Sequence, residues 1–421
     1  MVPNGWSQKT LEDLSIVERG KFSARPRNDP RYFGGEMPFV QTGDVTGSKT
    51  YLNSFTQTLN QDGIGVSKVF PKGTILITIA ANIGDTAITS FDVACPDSVV
   101  AIQPYSTKAD TYWLKNVLDT KKEDLDSQST QNAQKNINLQ VLKPLVILTP
   151  PLSEQKKIAK ILSTWDKAIS TTEQLLANSQ QQKMALMQQL LTGKKRLLDN
   201  NEIKSRSSKT PYATLPSDWG EIAMEEVSSF ITKGATPTTY GFDWQDTGIP
   251  FLRSECVGED GFKESGLAFI CDEAHKAMKR SKVFTGDLLI TITGNVGRIC
   301  QLPDHICEAN INQHIAKITL NPQQVNTDFI YHCLRDIKYR NYFERITTGQ
   351  AYPQISLVQV RDVVIPLPSR EEQHKIANVL STADQEITAL QQKLAALQQE
   401  KKALMQQLLT GKRRVKVEEA A

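Results

Sequence analysis

The chain has 421 residues, of which 39% are hydrophobic and 23% charged, and its formal net charge is +3. This length suffices for two or three domains with their own cores, whereas no apolar run approaches the ~20 residues that a membrane-spanning helix needs. The start MVPNGWSQKT lacks the pattern of a signal peptide, and the six cysteines include no CxxC pair. The composition therefore predicts a cytoplasmic protein with free thiols and no membrane contact.

The charge is distributed unevenly along the chain. Residues 1–152 contain 15 basic and 15 acidic side chains, whereas residues 213–368 contain 14 basic and 19 acidic ones. Residues 153–196 are basic, with 8 basic and 3 acidic side chains, and so are residues 369–416, with 9 basic and 5 acidic ones. A protein that bound nucleic acid through phosphates alone would carry more positive charge on its globular parts. If nucleic acid is the partner, local clusters and base contacts must supply the selectivity.

The first predicted domain covers residues 1–150. It combines short β-rich runs, such as TILITIA and PLVILT, with turns rich in Gly, Pro, Asn and Asp. This pattern predicts short strands with a few helices, an α+β domain.

A long helix is predicted over residues 151–196. The segment is rich in Gln, Lys and Leu, and its apolar or small residues recur at spacings of 3 and 4 from Ile158 to Leu190. Ser153 can cap its start, and Gly193 stands at a natural helix end. About 40 residues at ~1.5 Å each give a rod of roughly 60 Å. Such a helix needs a partner for its apolar stripe.

The same architecture then repeats. A polar linker at 197–213, which is predicted to be poor in secondary structure, precedes a second α+β domain at 214–367. A second long helix at 368–414 and a tail at 415–421 follow. The ten residues ALMQQLLTGK occur at 185–194 and again at 403–412, and Trp6 matches Trp219. Ser369 and Glu372 form a predicted capping box for the second helix. One unit of ~210 residues is therefore written twice, and we expect its two helices to pack against each other.

The sequence contains no pattern typical of an enzyme. All five histidines follow residue 274, so two equivalent sites that use histidine are excluded, and neither a P-loop nor GxGxxG is present. Cys300, His305, Cys307 and His314 match no standard zinc spacing and have no counterpart in the first half. We expect no catalytic residue, no cofactor and no metal.

The whole chain resembles the DNA-specificity subunit of type I restriction–modification systems. The segments PPLSEQKKIAKIL and LPSREEQHKIANVL, the ends QQLLTGKK and QQLLTGKR, and the loop ITKGATPTTYG carry the resemblance. The first-half counterpart of that loop, VERGKFSARPRNDPRYFGG, keeps the basic residue before glycine but lacks the TP motif.

The resemblance implies a fold and a function. The fold is α+β, with two pseudo-repeated target recognition domains separated by two long helices that pack as an antiparallel coiled coil. Each domain would read one half of a bipartite, asymmetric target on double-stranded DNA, about one helical turn (~34 Å) apart. The helices would set the spacer and dock two DNA methyltransferase subunits, which a restriction motor-nuclease subunit would join. Catalysis would belong to these partners.

Base readout in the major groove favours Arg or Lys for guanine and Asn or Gln for adenine. In the first domain we predict DNA contacts from a basic loop, from a strand end and from an amide-rich segment. These residues are Lys21, Arg25, Arg27 and Arg31, then Gln41, then Asn132, Gln134 and Lys135. The alternative for the loop is a solvated basic surface.

The matched positions of the second domain give the second set of predicted contacts. They are Lys233, Thr236, Thr238 and Tyr240 in the loop, Arg253 at the strand end, and Gln350 with Tyr352. Gln41 and Arg253 follow the matched runs PFV and PFL, so two readers of different targets would carry different donors there. An ordinary polar strand end explains them equally well.

Two other functions stay open at the level of sequence. A non-catalytic coiled-coil scaffold whose globular ends bind proteins would explain the helices but not the divergence of the loops. An enzyme with an unfamiliar site is weakened by the absence of repeated catalytic residues.

Overall fold

A computed structural model describes residues 2–128, 136–198, 204–349 and 351–416. The chain forms two compact units. Unit 1 comprises Met1–Glu173 together with Gln392–Ala421, and unit 2 comprises Gln174–Gln391. Each unit thus contains one globular domain and one half of each long helix. The finer domain boundaries given above stay a prediction.

The domain of unit 1 consists of short strands and helices. The strands are β1 (Ser7–Thr10), β2 (Ser15–Arg19), β3 (Phe33–Phe39), β4 (Tyr51–Leu52), β5 (Gln57–Leu59), β6 (Val69–Phe70), β7 (Ile75–Thr78), β8 (Thr86–Thr89), β9 (Val93–Ala94), β10 (Val99–Pro104) and β11 (Val146–Thr149). The helices are α1 (Leu11–Leu14), α2 (Thr42–Thr46), α3 (Gln61–Gly65), α4 (Thr111–Thr120), α5 (Lys122–Ser127), α6 (Leu139–Leu142) and the long α7 (Leu152–Leu190).

These strands form two principal sheets, in the orders β2-β10-β7-β8-β4 and β5-β3-β9-β6, and β1 pairs with β11. Strands β7 (ILIT) and β8 (TAIT) are buried along their whole length. The main core lies between the five-stranded sheet, α4 and α7, around the fully buried Trp113.

The domain of unit 2 repeats this plan. Its strands are β12 (Ser205–Ser207), β13 (Thr214–Pro216), β14 (Gly220–Ala223), β15 (Ser228–Lys233), β16 (Ile249–Leu252), β17 (Leu267–Ile270), β18 (Lys282–Phe284), β19 (Leu288–Thr291), β20 (Ile299–Gln301), β21 (Glu308–Ile311), β22 (Ile315–Leu320) and β23 (Val364–Leu367). Its helices are α8 (Asp272–Ala277), α9 (Thr327–Arg335), α10 (Ile337–Ile346), α11 (Leu357–Arg361) and the long α12 (Arg370–Leu408). The principal sheets have the orders β15-β22-β19-β20 and β17-β16-β21-β18.

The long helices α7 and α12 have 39 residues each and run antiparallel. In unit 1, Lys401 of α12 donates to Asp166 of α7 over 2.5 Å. In unit 2 the matched pair has the helices exchanged: Lys183 of α7 donates to Asp384 of α12. The predicted α+β fold with two repeated domains and an antiparallel helix pair is confirmed.

The end of each long helix packs into the domain of the other repeat. Leu190 and Leu191 of the first helix end lie in the core of unit 2, and Leu408 and Leu409 of the second lie in the core of unit 1. Gly193 and Gly411, the predicted helix-end glycines, have positive φ angles of 67° and 70°. A Cβ on either would come within 2.3 Å or 2.4 Å of Pro216 or Pro3. The glycines therefore end the helices and also permit this close packing.

One buried carboxylate at the start of each long helix joins three parts of its unit. In unit 2, Glu372 accepts hydrogen bonds from Trp219 Nε1 (3.1 Å) and from Arg196 Nε (2.5 Å). In unit 1, Glu154 accepts from Trp6 Nε1 (3.1 Å) and Arg414 Nε (2.8 Å). Each arginine follows the end of the other long helix and lies over the tryptophan ring. We call this Trp–Glu–Arg arrangement the clamp.

The clamp of unit 1 favours the ionised form of Glu154. Burial raises the pKa of Glu154, but the hydrogen bonds from Arg414 and Trp6 outweigh it, so that this pKa lies below its ordinary value. The next residue secures the domain to the same helix start. Gln155 accepts from the amide of Asp110, and the matched Gln373 accepts from the amide of Asn326, each over 2.9 Å.

Three local predictions need correction. Ser369 caps α12 through the amide of Glu372 (3.3 Å), but the Glu372 carboxylate takes part in the clamp and so does not complete a capping box. Ser153 lies inside the first turn of α7, which begins one residue earlier. The linker predicted as structure-poor contains β12, because its backbone pairs antiparallel with β13. Among the described residues, no helix is long and apolar enough to cross a membrane.

We predict that Glu372→Gln lowers the free energy of unfolding by about 2 kcal/mol, because Arg196 loses its buried carboxylate partner and keeps only the more exposed Asp218. Glu371→Gln is the matched control: Glu371 is 69% exposed and pairs with Lys375 within the same helix, so we expect a loss below ~0.5 kcal/mol. Urea unfolding followed by tryptophan fluorescence measures both. Equal losses for the two variants would contradict a stabilising role for the clamp.

Candidate DNA interface

A glycine carries the chain over a turn at the same place in both domains. Gly20 follows β2, and a Cβ there would lie 2.3 Å from the carbonyl oxygen of Pro96. Gly234 follows β15, and its Cβ would lie 1.8 Å from the carbonyl oxygen of Ile311. Only glycine permits such an approach. We call residues 20–32 and 234–248 the crossing loops, and residues 95–98 and 311–314 the crossed turns.

The first crossing loop presents its basic residues by simple alternation. Phe22 and Ala24 are buried in a small aromatic cluster with Phe39, whereas Lys21 and Arg25 are exposed. The alternation follows from an extended backbone, which sends successive side chains to opposite sides. Lys21 and Arg25 therefore lie on the solvent side of the same segment.

The other two arginines of this loop are held by carboxylates. Arg27 pairs with Asp97 of the crossed turn over 2.8 Å. Arg31 donates twice to Asp29, over 2.9 and 2.7 Å, and these bonds hold the pKa of the Asp29 carboxyl below its usual range. Arg25 turns back to the carbonyl oxygen of Ala24 over 2.8 Å. The four predicted basic residues thus lie in one loop, but they differ in how firmly neighbouring groups hold their side chains.

The second crossing loop is polar and aromatic instead of basic. Thr238 is exposed and Tyr240 is 46% exposed, and Lys233, the last residue of β15 directly before the loop, is exposed as well. The hydroxyl of Thr236 donates to the side-chain oxygen of Gln313 in the crossed turn over 2.6 Å.

An aromatic residue extends the same surface. The Gln313 amide nitrogen lies 3.1 Å from Nε2 of His314, and the His314 ring lies 6.4 Å from the ring of Tyr352. Tyr352 is 62% exposed. The structure therefore brings the predicted Thr236 and Tyr352 together through Gln313 and His314.

The predicted strand-end donors follow β3 and β16, respectively. Gln41 stands at the start of α2, and its amide donates to Gln57 over 3.0 Å. Arg253 follows β16, and its Nε donates to the carbonyl oxygen of Gly266 over 3.0 Å. Both side chains are oriented by neighbouring loops, and their contact with DNA stays a prediction.

Several predicted contacts lie outside the described residues: Asn132, Gln134, Lys135 and Gln350. Sequence reasoning missed Asp97, Gln313 and His314, which belong to the crossed turns. The internal repeat offered a signal for them, because PDS (96–98) and NQH (312–314) occupy equal places between matched strands.

Two of the four residues considered as metal ligands in the sequence analysis have other surroundings. Cys300 is buried, which raises the pKa of its thiol, and His305 lies 3.1 Å from Glu264. Within the described ranges, no group of three or more His, Cys, Asp or Glu side chains is arranged to hold a metal ion.

Comparison with known proteins gives a consistent result for both halves of the chain. The family model described as "Type I restriction modification DNA specificity domain" matches residues 3–178 and 216–399. These two matches cover most of the chain and coincide with its internal repeat.

Relatives of similar length carry corresponding names. The "Type I restriction enzyme MjaVIII specificity subunit" of Methanocaldococcus jannaschii is 24% identical over 421 residues, covering 96% of this chain and 94% of the relative. The provisionally named MjaX specificity subunit of the same organism is 27% identical over 430 residues, covering 99% and 95%. The Escherichia coli EcoBI specificity subunit is 26% identical over 262 residues, covering 60% and 54%.

Two solved structures share the fold. The S subunit of a type I restriction–modification system from M. genitalium superposes with a TM-score of 0.62 at 16% identity, covering 97% of both chains. A chain from a study of "complex assembly" and "conformational transition of the type I R-M system" superposes with a TM-score of 0.56 at 17% identity, covering 98% of this chain and 100% of that one.

We predict that Lys21→Gln combined with Arg25→Gln weakens DNA binding and reduces the slope of log K against log salt by about 1.8, if both contact phosphates. Lys143→Gln in the same domain serves as a single-charge control and should leave the slope unchanged. Fluorescence anisotropy of labelled duplex DNA at several salt concentrations measures the effect. An unchanged slope for the double variant would identify the loop as a solvated surface.

Proposed function

This chain belongs to the family of type I restriction–modification DNA specificity proteins, and we propose that each of its domains reads one half of a bipartite, asymmetric DNA target in the major groove. The observation that carries the proposal is the pair of crossing loops. A shared glycine places both loops over a shared turn, yet the side chains differ: basic in one domain, polar and aromatic in the other. A common framework with different donors suits two readers of different sequences.

Phosphate contacts and base contacts have separate roles in this proposal. Lys21 and Arg25 are exposed and pair with no carboxylate among the described residues, so they suit phosphates, which position the protein on the duplex. Arg27 is held by Asp97, and Gln313 by Thr236. Such fixed side chains suit the edges of bases, because recognition there needs defined geometry.

The chain acts as a non-catalytic, cytoplasmic subunit in this proposal. Methyl transfer, ATP hydrolysis and DNA cleavage belong to its methyltransferase subunits and to a restriction motor-nuclease subunit. The names of its relatives, as specificity subunits of restriction enzymes, support this division of labour. The paired long helices set the spacing of the two half-sites.

An exposed stripe on each long helix supports the docking of two equal partners. At spacings of 3 and 4, which place residues on one helix face, five exposed positions of α7 are identical to their matches in α12. They are Gln174, Ala177, Gln181, Ala185 and Gln188, matched by Gln392, Ala395, Gln399, Ala403 and Gln406. Solvent exposure alone imposes no such identity.

Three exposed positions beside this stripe have diverged. Leu175 is matched by Lys393, Gln182 by Glu400 and Met184 by Lys402. The five positions of the stripe are thus identical although exposed neighbours differ, and small Ala side chains between Gln residues permit close packing of a partner helix. Two identical faces suit two copies of one partner, which we propose to be the methyltransferase subunit.

Exchange of residues 1–150 for the same region of another family member should change only one half of the recognised target, because each domain reads independently. Selection of bound duplexes from random-sequence DNA by the complex with methyltransferase, before and after the exchange, gives both half-sites. A change in both halves would contradict independent reading, and recovery of no sequence preference from the unaltered chain would contradict the proposed function itself.

Ala185→Arg should reduce the methyltransferase subunits bound per chain from two to one, and Ala185→Arg with Ala403→Arg should reduce them to none, because a bulky charge prevents close packing. Gln182→Glu and Met184→Lys are matched controls on the same helix, since they install the residues that α12 already carries. Native mass spectrometry of the assembled complexes counts the subunits. Two bound subunits on the double variant would exclude this face as the docking surface.

A further inference from the structure

The first half of α7 carries an exposed lysine stripe that α12 lacks. Lys156, Lys160 and Lys167 lie at spacings of 4 and 7 on one helix face, with Lys157 beside them, and all four are exposed. The matched residues of α12 are His374, Asn378, Gln385 and Lys375. The remaining lysine of α12 is also neutralised, because Lys375 pairs with Glu371 over 3.0 Å.

The four lysines of α7 have no ion-pair partner in the part of the chain that the structure describes. Several other cations of unit 1 are neutralised by carboxylates. Lys49 pairs with Glu173, Lys68 with Glu18, Lys122 with Asp85 and Arg27 with Asp97. The stripe is therefore a concentration of free positive charge in a domain whose own charges balance.

A hydroxyl-lined cleft continues the stripe at Lys167. It has a volume of about 580 Å³ and lies between residues 47–54 and α7, where Ser48, Ser163 and Ser170 line it. Its two acidic residues are already occupied: Asp166 by Lys401 and Tyr112, and Glu173 by Lys49. Lysine and hydroxyl donors with no free carboxylate are the groups that contact phosphate oxygens in protein–DNA complexes.

The corresponding cleft of unit 2 has a different character. It has a volume of about 360 Å³, and Glu259 and Asp260 line it. Its arginines are paired with carboxylates: Arg298 and Arg340 with Glu259, over 3.4 and 3.1 Å, and Arg335 with Asp384 over 3.9 Å. Gln385 stands where α7 has Lys167. Of these two clefts, only that of unit 1 therefore offers the donors of a phosphate-binding site.

We propose that the lysine stripe and its cleft bind the phosphate backbone of the duplex DNA next to the first half-site. This inference rests on the proposed function, because it adds a backbone contact to a DNA reader. Lysines three and four residues apart along a helix stand roughly 5–6 Å from one another, a spacing comparable to that of successive phosphates.

The asymmetry of the stripe argues against a protein as its occupant. The partner proposed to bind in two equal copies meets two identical faces, whereas Lys156, Lys160 and Lys167 have no lysine at the matched positions of α12. A contact made once suits a ligand whose own surface is dense in negative charge and needs no matched side chains. Duplex DNA carries one such charge per ~1.7 Å of helix axis.

The test uses the chain's own repeat to design the variant. Lys160→Asn with Lys167→Gln installs the residues that α12 carries at the matched positions, and Lys393→Gln with Lys402→Gln removes two exposed lysines from α12 as a control. The complex with methyltransferase is titrated onto a duplex of arbitrary sequence, about 40 base pairs long, between roughly 50 and 200 mM salt. We expect the first variant to lose about 1.8 from the slope of log K against log salt, and the control to keep the unaltered slope.

The possible outcomes separate the hypotheses. Equal slopes for the first variant and the unaltered complex would overturn the phosphate contact while leaving the proposed function intact. Weaker assembly with methyltransferase at an unchanged slope would make an acidic protein surface the occupant and would also overturn it. An unaltered complex that binds no DNA would refute the proposed function together with this inference. Thermal unfolding of both variants confirms that they fold alike.

Discussion

The buried carboxylate of the clamp is the constraint on which both units depend. A carboxylate removed from water is tolerated only when charged and hydrogen-bonding partners replace the lost hydration. Glu154 and Glu372 each have an arginine and an indole N–H as such partners. The tryptophan belongs to the domain, the glutamate to the start of one long helix, and the arginine to the end of the other. If either helix end moves away, the buried glutamate loses its arginine.

Much of the architecture was predictable because it repeats and because helix periodicity is local. The repeat identified the two domains, and the spacing of apolar residues identified α7 and α12. The role of Glu372 was not predictable from these signals, since Ser369 three residues before it also fits a capping box. Its partner Arg196 is 176 residues away. Local patterns contain no information on a pairing that only the packed helices create.

The candidate interface was likewise predictable from the sequence only in part. The basic loop from Lys21 to Arg31 was visible as composition, and the structure assigns its members different roles, with Arg27 and Arg31 paired to acids and Lys21 free in solvent. The part played by Gln313 and His314 was not visible, because it arises from the close passage of Gly234 over the turn that carries them. A glycine in a loop indicates conformational freedom but not what lies beneath it.

The clamp of unit 1 also has a consequence for the order in which the protein can fold on the ribosome. Its arginine, Arg414, and the core residues Leu408 and Leu409 come from the end of α12. These residues are translated only after the whole second domain, whereas unit 2 is a continuous stretch of chain. The domain that emerges first is therefore the one that completes its core last. Until then its Glu154 lacks a counter-charge, so a nascent chain exposes this unfinished surface throughout synthesis of the second domain.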